Sequence, residues 1–461
     1  MKYISTRGGI EPISFKDAVM MGLATDGGLL LPESFPFFSR KTIESWRTLS
    51  YQELAFNIIA PFADDVPPAD LKSLIDRSYA TFSHPEITPV VDKDGVHILE
   101  LFHGPTFAFK DVALQLLGNL FEYLLRERGE KMNIVGATSG DTGSAAIYGV
   151  RGKENINIFI LHPNGRTSKI QALQMTTVPD DNVFNIAVNG TFDDCQNIVK
   201  TIFSDIPFKK RHSLGAVNSI NWARVLAQVV YYFYAWLKVT ATSPKAIVFS
   251  VPTGNFGDIF AGYVAKRIGL PVAKLILATN ENNILTRMVN DGDYSTGAVV
   301  PTLSPSMDIQ VASNFERYLF YLFDENPARV NSSLATFAAT GRMHFTVDEL
   351  DRVSEDFSSA SVNSEQTLRT IADFNRGCGY LLDPHSAIGV RAALDSKIAG
   401  SEFICLATAH PAKFGDAVKL AINEDVKLPE GLSGLDTLPS RCKTMNAELE
   451  KIMEYVEANA I

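Results

Sequence analysis

Lys110 sits in His103-Gly104-Pro105-Thr106-Phe107-Ala108-Phe109-Lys110-Asp111, one cation among aromatics where a loop turns into a helix predicted over Val112 to Arg128. A lysine that forms a Schiff base must spend time as the neutral amine. Apolar burial and the positive end of a helix dipole both lower its pKa, so these residues in this order suit that chemistry. For an isolated Phe-Lys-Asp the ordinary reading is a solvated lysine in a first helical turn, because most lysines face water. The other segments able to bind or react decide between the two.

Gly254-Asn255-Phe256-Gly257-Asp258 follows an apolar run and precedes a helical one. Glycines there let backbone N–H groups converge, and a helix head adds partial positive charge, so the turn is built for an anion such as a phosphate. It matches neither the dinucleotide nor the nucleoside-triphosphate glycine pattern. The plain alternative is a tight strand-to-helix turn. Thr138-Ser139-Gly140-Asp141-Thr142-Gly143 has the same form with hydroxyls added, which suits a carboxylate or a second phosphate; Ser139 or Asp141 as a simple helix cap is the alternative. Thr408 follows the run Phe403 to Ala407, a ligand-facing place for a hydroxyl, whereas His410, alone before Pro411, reads as structural. Arg224 opens an otherwise apolar helix, and Arg166 and Lys169 flank Thr167-Ser168. Each could hold a substrate phosphate through charge-assisted bonds, although a surface ion pair is the commoner fate of any one of them.

These segments need scaffolding that brings them together. Short apolar runs alternate with Gly-rich turns and helices at Ile134-Val135, Ile156 to Leu161, Ala246 to Val251, Ala273 to Ala278 and Phe403 to Ala407. That alternation predicts an α/β protein with parallel sheets covered on both faces, and ligands bind beyond the carboxyl ends of such strands, where these turns lie. Residues 1–95 read as a mainly helical leading domain and 96–245 as a first α/β domain carrying Lys110. Residues 246–461 read as a second α/β domain, with an inserted segment near 290–375 in which Val347 to Phe374 is helical.

The 461 residues suffice for about two or three domains. A formal net charge of -10, from 42 Lys+Arg against 52 Asp+Glu, with no basic block, argues against a nucleic-acid partner. The whole-molecule field repels an anionic ligand, so a local cluster of cations and N–H groups must attract it. The four cysteines form no Cys-x-x-Cys pair, which fits reduced thiols in a cytoplasm. No secretory signal follows Met1, and Val225 to Val239 is too short and too polar to span a membrane. The eight histidines lack zinc-site spacing, so no metal is expected.

Taken together the chain resembles the threonine synthases of the longer form, within the fold-type II family of pyridoxal-phosphate enzymes. The resemblance rests on the Lys110 segment and the Gly254 turn, shared more loosely with related dehydratases. Tyr3-Ile4-Ser5-Thr6-Arg7-Gly8, Gly22 to Leu29, Pro32-Glu33 and Ser304-Pro305-Ser306-Met307-Asp308-Ile309 carry it more specifically. It implies pyridoxal 5'-phosphate held by Lys110 as a Schiff base, its phosphate in the turn of Gly254, Asn255, Phe256, Gly257 and Asp258, and Thr408 at its ring nitrogen. It further implies Ser139, Gly140, Asp141 and Thr142 on the substrate carboxylate, with Arg224 and Lys169 on the substrate phosphate. The implied reaction turns O-phospho-L-homoserine and water into L-threonine and phosphate, in a cytoplasmic monomer or small homo-oligomer.

Overall fold

The computed structural model describes every residue except Ser139 and Lys397. Two parallel sheets dominate it, as the alternating pattern predicts. In the larger, the strands run in the order Phe357–Ser361, Val272–Thr279, Ala246–Pro252, Ser401–Ala407, Val96–Glu100 and Val90–Lys93, all parallel until the last, antiparallel pair. In the smaller, the order is Lys443–Asn446, Val183–Asn189, Ile156–Pro163, Met132–Ala137 and Leu214–Gly215, parallel throughout. The leading segment carries the helices Phe15–Met21, Arg40–Ser45, Tyr51–Ile59 and Pro68–Tyr79, plus one antiparallel pairing of Tyr3–Ser5 with Leu30–Pro32.

The sheets do not respect the boundaries drawn from sequence. Val96–Glu100, assigned there to the first α/β domain, pairs with Ser401–Ala407 in the second sheet, and Lys443–Asn446 crosses back to pair with Val183–Asn189. Parallel partners need long crossovers, so chain order is a poor guide to which sheet a strand joins. The helical reading of Val347 to Phe374 is likewise corrected. Helices Val347–Asp356 and Ser364–Cys378 flank a strand, Phe357–Ser361, at the sheet edge. Its serine-rich composition and single buried residue, Phe357, hide it from a search for apolar runs.

Helix Trp222–Val239 is buried along almost its whole length. Its apolar residues run all round, so it packs on every side. Tyr234 meets Tyr51 of the leading domain, while Tyr231 and Tyr232 donate to Asp258. Arg317 fixes the leading domain from the other side: the guanidinium is fully buried and bonds the carbonyls of Leu30 (3.1 Å) and Ile220 and the side chain of Asn314 (2.5 Å). Each of the three guanidinium nitrogens has a partner, as a buried arginine requires.

The catalytic-lysine candidate rides on helix Lys110–Arg128, which crosses Asp141–Val150 at two glycines. A carbon added at Gly118 would lie 1.9 Å from the Gly149 carbonyl oxygen, and one at Gly149 would lie 2.6 Å from that of Leu114. Alanine gains up to about 1 kcal/mol in helix propensity over glycine, but a clash with backbone cannot relax by rotating a side chain. Gly118→Ala should therefore cost about 1–3 kcal/mol net, seen as a lower denaturation midpoint. Gly415→Ala, also in a helix but where an added carbon meets nothing within 4 Å, should leave the midpoint unchanged or slightly higher. An unshifted midpoint for Gly118→Ala would mean the crossing is loose.

Candidate active site

Lys110 is the first residue of its helix, and the chain before it is sewn to the end of a central strand. The N–H of His410 donates to the Phe107 carbonyl (3.0 Å) and that of Phe109 to the Thr408 carbonyl (2.8 Å), forming a bridge between Ala108 and Ala409. This seam places Lys110 beside the carboxyl end of strand Ser401–Ala407. Phe107 adopts a left-handed φ of 59° to make the turn, a strained choice for a non-glycine residue. Strand Ala246–Pro252 lies next to Ser401–Ala407 in register, so its following turn, Thr253 to Phe256, opens at the same edge of the sheet.

Three helix heads at this edge lack side-chain caps: Lys110–Arg128, Asp141–Val150 and Gly257–Arg267. Ser14, Ser50, Thr191 and Asn221 cap other helices, while the heads of Pro68–Tyr79, Ile284–Asp291 and Leu449–Asn459 also go without, so a missing cap permits a ligand but does not mark one. Uncapped heads leave N–H groups and dipole charge for a ligand. At the Asp141 helix the N-cap position is Gly140, where φ is 154° and an added carbon would lie 2.4 Å from Gln171 Oε1, so the capping bond to the first turn comes from Thr138 instead. Thr138 Oγ1 shapes that turn by accepting the N–H groups of Gly140 (3.0 Å) and Gly143 (2.9 Å). Ser139 lies outside the described residues, and Thr142 is partly exposed in the first helical turn.

The Gly254 turn presents backbone rather than side chains. Asn255 Oδ1 accepts the Ser313 N–H (2.6 Å) and its amide donates to Ser219; Phe256 packs on Phe315 and Phe357; Asp258 takes the hydroxyls of Tyr231 and Tyr232. Burial pushes Asp258 up to about 6. A carbon on Gly254 would come 2.9 Å from the Ser306 carbonyl, so the Ser304 to Ile309 stretch forms a wall for the turn. Asp308 fixes that wall by accepting from Thr302 (2.6 Å), Asn280 (2.8 Å) and Asn282 (3.0 Å).

Lys110 faces a buried charge cluster. Its Nζ is 3.8 Å from Asp141 Oδ2, while Lys413, completely buried, reaches Asp141 Oδ1 at 2.9 Å and the Thr106 carbonyl at 2.6 Å. Gln171 Nε2 also donates to Asp141 Oδ1 (2.8 Å). Burial lowers the Lys110 pKa below the ordinary lysine range; Asp141 opposes this, and Lys413 and Arg224 add to it. Burial alone would raise Asp141, but Lys413 and Lys110 together hold it well below the usual carboxylate range. Asp111, pushed up to about 6 by burial, accepts the N–H and hydroxyl of Thr106, each at 2.7 Å.

Arg224 is buried with no ion pair among the described residues, and its Nη1 has no hydrogen-bond partner. Burial pushes it down to about 10, so it remains cationic at neutral pH. Lys169 is not part of this cluster. It stands exposed at the head of helix Lys169–Thr176, as does Arg166 in the preceding loop. Thr408 has its N–H held by Ser386 Oγ (3.0 Å) and its carbonyl by Phe109, which leaves its hydroxyl for another partner. His410 accepts the Ala412 N–H, and burial pushes it down to about 4, so it is neutral at pH 7.

Sequence reading overlooked Lys413, Gln171 and the Asp383–His385–Ser386 group. His385 Nε2 accepts the Ser306 N–H (3.3 Å), so Nδ1 carries the proton and donates to Asp383 (2.8 Å). Ser386 links the same Asp383 to Thr408. One cue was available: Lys413 is a lone cation among Pro411, Ala412 and Phe414, the composition that drew attention to Lys110. No helix among the described residues is long and apolar enough to cross a membrane, and no acidic, histidine or cysteine group among them could hold a metal ion.

An amine beside uncapped helix heads, an unused hydroxyl and an unpaired guanidinium can bind an anionic cofactor and an anionic substrate together. Family models agree with that inventory: "Threonine synthase N terminus" matches residues 2–79, "Pyridoxal-phosphate dependent enzyme" residues 84–343, and "Threonine synthase, C-terminal" residues 386–456. Threonine synthase of Pseudomonas aeruginosa is 49% identical, covering 99% of this chain and 98% of its own. That of Saccharomyces cerevisiae is 48% identical, covering 99% and 97%. The crystal structure of PLP-bound threonine synthase from Brucella melitensis superposes with a TM-score of 0.97 at 47% identity, covering 100% and 99%. The chain belongs to the threonine synthase family of pyridoxal-phosphate-dependent enzymes.

Proposed function

We propose that this chain expels phosphate from O-phospho-L-homoserine and adds water to give L-threonine. Arg224 carries the reading. A buried guanidinium without a counter-ion among the described residues is costly to fold, and binding a phosphate ester would relieve that cost. The same chamber fits the cofactor. The N–H groups from Gly254 to Asp258, backed by the uncapped helix head, suit its phosphate. Side chains of Asn255, Phe256 and Asp258 serve to hold the turn.

When bound, pyridoxal phosphate supplies the electron sink for charge developing on the substrate's carbon atoms. Thr408 would offer the ring nitrogen a neutral hydroxyl rather than a carboxylate, which would keep that sink moderate and favour elimination and replacement over transamination. Lys110 Nζ would hold the cofactor and, as an amine, would carry protons at the substrate's Cα and Cβ. Ser139, Gly140 and Thr142 receive the substrate carboxylate, together with the backbone N–H of Asp141, whose own carboxylate is taken by Lys413 and Gln171. Arg224 holds the departing phosphate. Lys169, exposed, contributes attraction at the solvent side instead of a direct bond. The unpaired cysteines fit a reducing cytoplasm, and the reading is of a monomer or small homo-oligomer.

Phosphohomoserine incubated with the loaded protein should yield threonine and inorganic phosphate in equal amounts; 2-oxobutyrate as the main organic product would sink the assignment. Lys110→Ala should abolish both turnover and the visible absorbance of lysine-bound cofactor. Arg224→Met should separate function from stability. Losing charge-assisted bonds worth about 1.5–3 kcal/mol should raise KM for phosphohomoserine by about 10–100-fold. Removing an unpaired buried charge should leave the denaturation midpoint unchanged or higher. A variant with normal KM would show that the substrate phosphate binds elsewhere.

A further inference from the structure

Lys413 has no part in the roles above, yet it is completely buried and bonded to two of the segments that form the site. We propose that Lys413 is a positioning residue for this reaction: by taking the Asp141 carboxylate at 2.9 Å, it keeps that carboxylate from locking the Lys110 amine, 3.8 Å away, in its ammonium form. The inference rests on Lys110 being the cofactor lysine.

A buried ion pair is a poor way to gain stability, because apolar residues of similar volume usually do as well or better. The fold therefore gives no strong reason to keep this one, and its geometry points to the neighbouring amine. Asp141 is the first residue of its helix, and one carboxylate oxygen is already shared by Lys413 and Gln171. The other faces Lys110. Were Asp141 to have Lys110 as its sole cation, the pair would resemble any buried lysine–aspartate bridge, with a proton firmly on the lysine. Lys413 reverses that preference twice: it neutralises Asp141, and its own charge repels a proton on Lys110. The remaining charged groups felt at Lys110 are Arg224, which repels a proton, and Asp111 and Asp258, which attract one. Asp258 is held by Tyr231 and Tyr232, apart from Lys413; Asp111 is held by Thr106 and also feels the Lys413 charge, so it gains a proton more readily when that charge is removed, which opposes the shift at Lys110 only in part. Around Lys413 itself stand Asp141, Asp111 and the neutral His410.

The bonds of Lys413 also explain why a lysine at this place reports on both sheets. Its partner Thr106 opens the turn that leads to Lys110, while Asp141 heads a helix that follows a strand of the smaller sheet. A purely mechanical tie would be served as well by any group that holds these segments together. A role in charge control requires a cation.

The test is the pH dependence of Lys110 reactivity in the full-length protein. Acetic anhydride labelling of Lys110, quantified by mass spectrometry after reversible removal of pyridoxal phosphate, reads the free amine, and the visible absorbance of the loaded protein is titrated in parallel. In Lys413→Met the labelling midpoint should move up by about one pH unit or more, the usual effect of one nearby charge. Lys413→Arg, which keeps the charge, should stay at the wild-type midpoint. Asp141→Asn should move it down by about as much, and it carries the test should Lys413→Met fail to fold. Lower thermal stability in these variants with no shift in midpoint would overturn the proposal, as would equal shifts in Lys413→Met and Lys413→Arg. If Lys110 were not the cofactor lysine, Lys110→Ala would keep the visible absorbance; the labelling shifts would still appear, so the two failures are distinguishable.

Discussion

Asp141 accepts the buried Lys413 and one amide on Oδ1 and faces the Lys110 amine from Oδ2, and the site's geometry depends on that one carboxylate. It begins a helix of the smaller-sheet region, yet its cations come from the segment after Thr408, an extension of the larger sheet, and from Lys110 itself. An ionised carboxylate cannot be buried without such partners, because desolvation costs several kcal/mol. The partners in turn cannot be buried without it. The mutual requirement brings the Gly140 turn against the Lys110 helix, and the Gly118–Gly149 crossing behind them allows the two helices to come that close.

Two buried arginines show how the same side chain serves opposite ends. Arg317 spends its donors on the carbonyls of Leu30 and Ile220 and on Asn314, and so welds the leading domain to the body of the protein. Burial pushes it down to about 9, but its bonds within the protein make that burial tolerable. Arg224 has no such set among the described residues. A chain selected for stability alone would fill that place with an apolar residue, so the unmet guanidinium is best understood as a group whose partner arrives from solution. The uncapped head of Gly257–Arg267 follows the same logic, since a serine or aspartate there would satisfy the backbone and close the seat.

Much of this was legible in the sequence because local chemistry recorded it. The Lys110 segment, both Gly-rich turns and Thr408 each follow or precede a run whose periodicity names its element, and parallel strands put their following turns on one edge. What the sequence hid depends on long-range partners. Phe357–Ser361 joins a sheet through Val272–Thr279, some eighty positions upstream, and its serines give no alternation to detect. Val96–Glu100 and Lys443–Asn446 each read as part of the neighbouring segment, although each pairs across the molecule. Asn255 and Asp258 stand in one dimension only as members of an anion-binding turn. Only the folded chain reveals Ser219, Ser313, Tyr231 and Tyr232 waiting for them.

Lys413 was hidden for the same reason, and its case limits how far composition can be trusted. A lysine in an apolar run can be solvated, can be a nucleophile, or can be a fixed counter-charge, and the local sequence is similar in all three. Lys110 and Lys413 are both largely buried and both within reach of Asp141. What separates them is the number of other groups they satisfy. Lys413 bonds a carboxylate and a carbonyl at short distances, so its donors are already engaged. Lys110 has only the longer contact and lies over the Phe109 ring, 4.9 Å from its centroid. An amine with few hydrogen bonds to lose can give up its proton at modest cost. The less well satisfied lysine is therefore the one better placed to serve as a free amine.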